Sequence, residues 1–119
     1  MNPRVRIRIY FAPEQWIGPG KVELLEGIDR TGSLSQAARA LGMSYRRAWL
    51  LLDAVNRSLA TPAAISRTGG ENGGGAKLTP LGRHLIRAYR ALESQTERAA
   101  HRMHATLKRK AARGSGKSA

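Results

Sequence analysis

The 119-residue sequence contains no cysteine. Disulfide stapling, thiolate nucleophiles and thiolate-rich zinc sites are thereby excluded, and a reducing compartment fits. Aromatic residues make up only 5%, and many of the 41% hydrophobic residues are small alanines, so a modest core is expected. Acidic residues are scarce as well, since 8 Asp and Glu stand against 21 Lys and Arg and leave a formal net charge of +13. On so short a chain this balance favours an extended polyanion as partner, nucleic acid first and an anionic membrane surface second. No apolar run approaches the roughly 20 residues that span a bilayer, and the first thirty residues lack the basic start and long apolar stretch of a secretory signal. A soluble, cytoplasmic protein with no membrane partner is expected. The length suits one domain, which excludes a catalytic site lodged between two.

From Arg4 to Phe11 the residues alternate. Val5, Ile7, Ile9 and Phe11 take one face and Arg4, Arg6, Arg8 and Tyr10 the other, the period of a half-buried strand. Pro13, Gly18, Pro19 and Gly20 then break the chain before a helix over Lys21 to Arg30, which carries Val22, Leu24, Leu25 and Ile28 at helical spacing and stops at Thr31-Gly32. Ser33-Leu34-Ser35-Gln36 has the form of a capping box, with Ser33 accepting from the Gln36 amide and Gln36 reaching back. The short helix it starts ends at Leu41, before Gly42, and the small pair Ala37-Ala38 permits close approach of another element. Ser44 is placed to cap a third helix running to about Leu59. Two short helices across a glycine-containing turn make a helix-turn-helix candidate. The third helix sets Ala48, Leu51, Leu52, Val55 and Leu59 on one side and Arg46, Leu50, Asp53 and Arg57 opposite, with Arg47 beside them. Trp49 sits between the faces and is expected to pack in the core.

Two strand-like pieces, Ile65 to Arg67 and Ala76 to Leu78, flank the glycine-rich stretch from Thr68 to Gly75 and predict a hairpin. Gly70 to Lys77 does not make a phosphate-binding P-loop, because a residue is inserted before the lysine and no hydroxyl follows it. Thr79 and Pro80 suit the N-cap and first position of a last helix, in which Leu81, Leu85, Ala88, Leu92, Thr96, Ala99, Met103 and Leu107 recur at steps of three or four. From Pro80 to Lys110 this helix measures roughly 45 Å, more than a small domain's diameter. Its far half therefore needs a second chain to cover the stripe, which predicts a homodimer joined through Leu92, Ala99, Met103 and Leu107. Residues 111–119 are expected to form a disordered basic tail. His101 and His104 share a helix face, but two imidazoles without a third ligand make a poor metal site. The acids Glu23, Glu26 and Asp29 are expected to form a solvated face. No set of nucleophile, base and orienting group stands out, so no enzyme activity, metal or cofactor is expected.

Three stretches carry a family resemblance: Gly32-Ser33-Leu34-Ser35-Gln36-Ala37-Ala38, then Gly42-Met43-Ser44-Tyr45-Arg46-Arg47-Ala48-Trp49, then Gly69-Gly70 with Gly73-Gly74-Gly75-Ala76 and Leu78-Thr79. From about Arg4 to Tyr89 the chain resembles the DNA-binding domain of the ModE-type molybdate-responsive regulators and, more distantly, LysR-type regulators. The resemblance implies a mainly α fold with a small β-sheet, a winged helix-turn-helix with a long C-terminal helix. Residues 1–78 would be the DNA-binding domain and 79–110 the helix that completes and dimerises it. It also implies sequence-specific binding of double-stranded DNA in the bacterial nucleoid. ModE proteins continue into molybdate-binding domains, so direct molybdate binding is not expected of this chain.

The third helix is then the recognition helix. Ser44, Tyr45, Arg46, Arg47 and Leu50 are the candidates for base edges, since arginine pairs bidentately with guanine and leucine touches a thymine methyl. Ser35 and Gln36 at the start of the second helix, and Arg67, Gly69, Gly70, Gly73, Gly74 and Lys77 of the wing, complete the expected DNA contacts. The alternatives are an architectural nucleoid-associated protein with little sequence specificity, and an interaction protein that docks through its last helix.

Overall fold

The computed structural model describes residues 3–66 and 75–117, with side chains to residue 111. The fold is mainly helical, with two small antiparallel β-ladders and a long last helix.

The N-terminal strand is a hairpin. β1 (Ile9–Ala12) pairs with β2 (Gln15–Ile17), with Ile9 opposite Ile17 and Tyr10 opposite Trp16, and the register slips between Tyr10 and Ala12. The predicted alternation holds through Tyr10, with Val5, Ile7 and Ile9 half-buried and the arginines outside. It fails at Phe11, which is 52% exposed because the irregularity turns the next residue inward. The paired strand is also shorter than Arg4 to Phe11, since three residues of β2 can partner only its last part.

α1 (Pro19–Thr31) begins earlier than its breakers suggested, with Pro19 in the first turn, where its missing N–H costs nothing and its fixed φ suits a helix. Gly32 ends it at φ 71°, donating to the Ile28 carbonyl at 2.8 Å. α2 (Leu34–Ala40) starts on Ser33, whose Oγ accepts from the Gln36 N–H at 3.1 Å. Only this half of the capping box forms. The Ser33 N–H donates to Thr31 Oγ1 at 3.2 Å instead, and the Gln36 side chain stays exposed. Gly42, at φ 69°, turns the chain, and Ser44 Oγ accepts from the Arg47 N–H at 3.1 Å to open α3 (Tyr45–Ser58).

α1 is the central element. Its Val22, Leu24, Leu25 and Ile28 pack with Ala37 and Ala38 of α2 and Ala48, Leu52 and Val55 of α3. The small residues set the spacing: a Cβ on Gly27 would meet that of Ala37 at 3.0 Å. A second hairpin, β3 (Ala64–Ser66) with β4 (Ala76–Leu78), pairs Ala64 with Leu78, Ile65 with Lys77 and Ser66 with Ala76.

Three elements meet at residues 62–64. The Asn56 side chain of α3 accepts from the Ala63 N–H at 2.8 Å and donates to the Ala64 carbonyl at 3.1 Å. Thr79 accepts at its hydroxyl from the Gly82 N–H at 3.1 Å, capping the last helix, and donates to the Pro62 carbonyl at 2.7 Å. α4 (Pro80–Lys117) has 38 residues, about 57 Å at 1.5 Å per residue. It runs past Lys110, so the disordered tail expected over 111–119 gives way to helix as far as Lys117. Ala111 and Ala112 are strong helix formers, and Gly114 and Gly116 weaken a helix without the steric veto of proline. The molecule is accordingly elongated, 72 × 28 × 22 Å.

α4 docks by its first half only. Tyr89 is buried and its hydroxyl donates to the Ile7 carbonyl at 2.7 Å. Arg90 grips Glu26 of α1 through two bonds of 3.0 and 2.6 Å and also meets Glu93, and these carboxylates hold the guanidinium pKa above its ordinary value. Arg83 lies 4.0 Å from Asp29. The acidic face of α1, expected to be solvated, is thus partly occupied by arginines of α4, a pairing between segments far apart in sequence.

Candidate nucleic-acid interface

α3 is held from behind. Ala48, Leu52 and Val55 are buried and Leu51 and Leu59 half-buried, so the opposite side must face outward. At this end of the helix Ser44, Arg46 and Arg47 are exposed, together with Tyr45 at 56% and Leu50 at 48%. The five predicted residues of this helix end are thus all exposed, with Arg46 and Leu50 opposite the buried face and Tyr45 and Arg47 on its two flanks at about 100° per residue. The Ser44 hydroxyl is already engaged as the helix cap, and as donor it remains available. Among the described residues no carboxylate pairs with Arg46 or Arg47, while Asp53 further along is taken up by Arg57 at 3.1 Å. Both guanidiniums are therefore presented to an outside anion.

Trp49 corrects the sequence expectation. Placed in the core from its position between faces, it is 47% exposed. At about 100° per residue Trp49 lies roughly a right angle away from the buried Ala48, Leu52 and Val55, too far round the helix for the core to cover it.

Ser35 and Gln36 are exposed at the start of α2. On the second hairpin Lys77 is exposed and faces Ile65, 57% exposed, across the ladder. The hairpin root is clamped to the helical body, since the Ala76 N–H donates to the Gly32 carbonyl at 2.9 Å. Arg67, Gly69, Gly70, Gly73 and Gly74 lie outside the described residues.

A basic surface runs along the N-terminus. Arg4, Arg6 and Arg8 are exposed, and Arg8 stacks over the Trp16 ring at 3.8 Å while donating to Tyr10 Oη at 3.1 Å. Lys21 stacks on the same ring at 3.5 Å and donates to the Trp16 carbonyl at 2.9 Å, with only 3% of its surface exposed. Burial, and then the charge of Arg8, lowers its pKa below the ordinary lysine value. No sequence signal marked this cluster, because it forms only once β1 and β2 pair.

On α4, Leu92, Met103 and Leu107 are 38%, 60% and 55% exposed, and Ala99 is exposed beside them. Among the described residues no helix is long and apolar enough to cross a membrane.

No family model matches the chain. It is 50% identical over 78 residues to the molybdenum-pterin-binding protein MopB of Rhodobacter capsulatus, a match covering 66% of this chain and 29% of that protein. It is 37% identical over 100 residues to the transcriptional regulator ModE of Haemophilus influenzae, covering 84% and 39% respectively. With the DNA-binding transcriptional dual regulator ModE of Escherichia coli K12 it shares 33% identity over 100 residues, 83% of this chain and 38% of the relative. The chain is thus related to ModE regulators and molybdenum-pterin-binding proteins, and it spans less than two fifths of these relatives' length.

Proposed function

We propose that the chain is the DNA-reading unit of a bacterial transcription regulator of the ModE type, a winged helix-turn-helix that binds duplex DNA as a homodimer. The observation that carries this is the exposed N-terminal end of α3, where Arg46 and Arg47 stand without an acidic partner among the described residues. A helix of this kind fits the major groove of B-DNA, with its first residues at the base edges. Arg46 and Arg47 pair with guanine, and Ser44, Tyr45 and Leu50 contact neighbouring edges. Ser35 and Gln36 of α2, Lys77 and the glycine-rich stretch with Arg67 hold phosphates and fix the register. α4 joins two copies through Leu92, Ala99, Met103 and Leu107. The relatives named as transcriptional regulators support this reading, and it involves no catalysis.

Competition binding tests it. Against the duplex best enriched from a random library, Arg46→Ala and Arg47→Ala should each lose about 5- to 150-fold in affinity, with a smaller loss on random DNA. Lys77→Ala should weaken both duplexes alike. Equal losses on both duplexes for all three variants would favour an architectural protein without sequence preference. Failure of the wild type to bind DNA would end the proposal.

A further inference from the structure

Tyr45, Trp49 and Leu50 place three large apolar side chains, each about half exposed, on the same end of α3. Tyr45 and Trp49 are four residues apart and so are neighbours on the helix surface. At about 100° per residue Arg46 falls between Trp49 and Leu50 on the helix circumference. The arrangement is fixed from behind, since buried Ala48 and Leu52 prevent the helix from rolling these groups inward. What they form is a cation flanked on both sides by apolar surface. An apolar protein groove would cover the indole and the leucine but would strand the guanidinium without an acceptor. The floor of a DNA major groove supplies both needs, because the acceptor edge of guanine and the 5-methyl group of thymine lie side by side there. The charge of +13 favours the same occupant.

We propose that Trp49, together with Leu50 and Tyr45, reads the 5-methyl groups of thymines flanking the base contacted by Arg46. Trp49 is then a specificity-determining residue, and part of the sequence preference comes from apolar contact. This rests on the DNA-reading function proposed above and goes beyond it by making Trp49, a residue outside the expected DNA contacts, a determinant of sequence preference.

The test uses the library-selected duplex in two forms, with thymine and with uracil substituted one position at a time, which removes the methyl group and keeps the base pairing. Wild-type protein should lose about 3- to 10-fold in affinity at one or more positions in each half-site. Trp49→Ala and Leu50→Ala should weaken binding to the thymine duplex, and combined they should abolish the thymine-to-uracil difference. Arg46→Ala should weaken both forms and preserve the difference. Helical circular dichroism and a melting curve show that the variants are folded, and Trp49→Phe, which keeps an apolar ring, should retain part of the discrimination. Three results would overturn the inference: equal affinity for both forms in the wild type, a difference that survives the double substitution, or a selected site without thymine in its half-sites. In each of these cases DNA selection itself would still stand, whereas no enrichment from the library would sink both proposals.

Discussion

Gly82 occupies the first turn of α4, where a Cβ would overlap the Ala63 carbonyl oxygen. Replacement of a helical glycine by alanine ordinarily stabilises by about 1 kcal/mol. Here the clash is with backbone that Thr79 and Asn56 hold from both sides, so Gly82→Ala should destabilise by about 2–4 kcal/mol in urea unfolding. Nothing in the sequence distinguishes this glycine, because its neighbour lies in another segment. Trp49 is illegible for a related reason, since helical periodicity gives an angle but not how far the neighbouring elements reach around the helix. Ser33 and Ser44, whose partners lie three residues away, were legible. Lys21 allows a pH test. Its folded-state pKa lies below the unfolded value of 10.5, so the buried charge costs stability at lower pH. The cost is relieved as the pH rises through the folded pKa toward 10.5. The stability of wild type relative to Lys21→Met should therefore rise in that alkaline window and be flat below it, as read from denaturant midpoints at a series of pH values.

At the scale of elements, α4 is the component whose sequence and surroundings match least. Its first half is buried by α1 and the N-terminal segment, yet the stripe continues through Leu92, Ala99, Met103 and Leu107 onto open surface. Self-association should follow, and sedimentation at tens of micromolar and moderate salt should give a dimer. Leu92→Glu with Met103→Glu should shift it to monomer while leaving the helical circular dichroism largely intact. Arg98, Arg102, Lys108 and Arg109 fall away from the stripe at about 100° per residue, whereas Lys110 lies along it. The dimer should accordingly tighten as salt rises from a low value. Periodicity placed all four helices, and the glycine-rich stretch marked the second hairpin, whose first strand starts one residue before the predicted Ile65, because these are patterns of near neighbours. It missed β2, three residues long, and the start of α1, where Pro19 reads equally as a breaker and as a first helical residue.

Across the whole molecule the charges are unevenly placed. Glu26, Asp29 and Glu93 are engaged around the root of α4, while Arg4, Arg6, Arg8, Arg46, Arg47 and Lys77 are exposed. If six to ten phosphates are neutralised, affinity for DNA should fall roughly 10³- to 10⁵-fold between 50 and 200 mM salt. A flat response in filter binding would be incompatible with the proposed interface. The excess of positive charge was legible in the sequence, but the engagement of acids by α4 arginines required the folded chain. The junction at residues 62–64 has a mechanical side. Asn56 of α3 and Thr79 of α4 are bonded to the same short stretch of backbone, and Gly82 packs on it without a side chain, so neither helix can swing without carrying the other. α4 is then a lever arm keyed to α3: a tilt of the pair by about 5° displaces a tip about 57 Å away by about 5 Å. In the proposed assembly, joined along the arm, the separation of the two α3 helices is set by the angle between the arms as on a caliper, and whatever turns an arm resets the gauge.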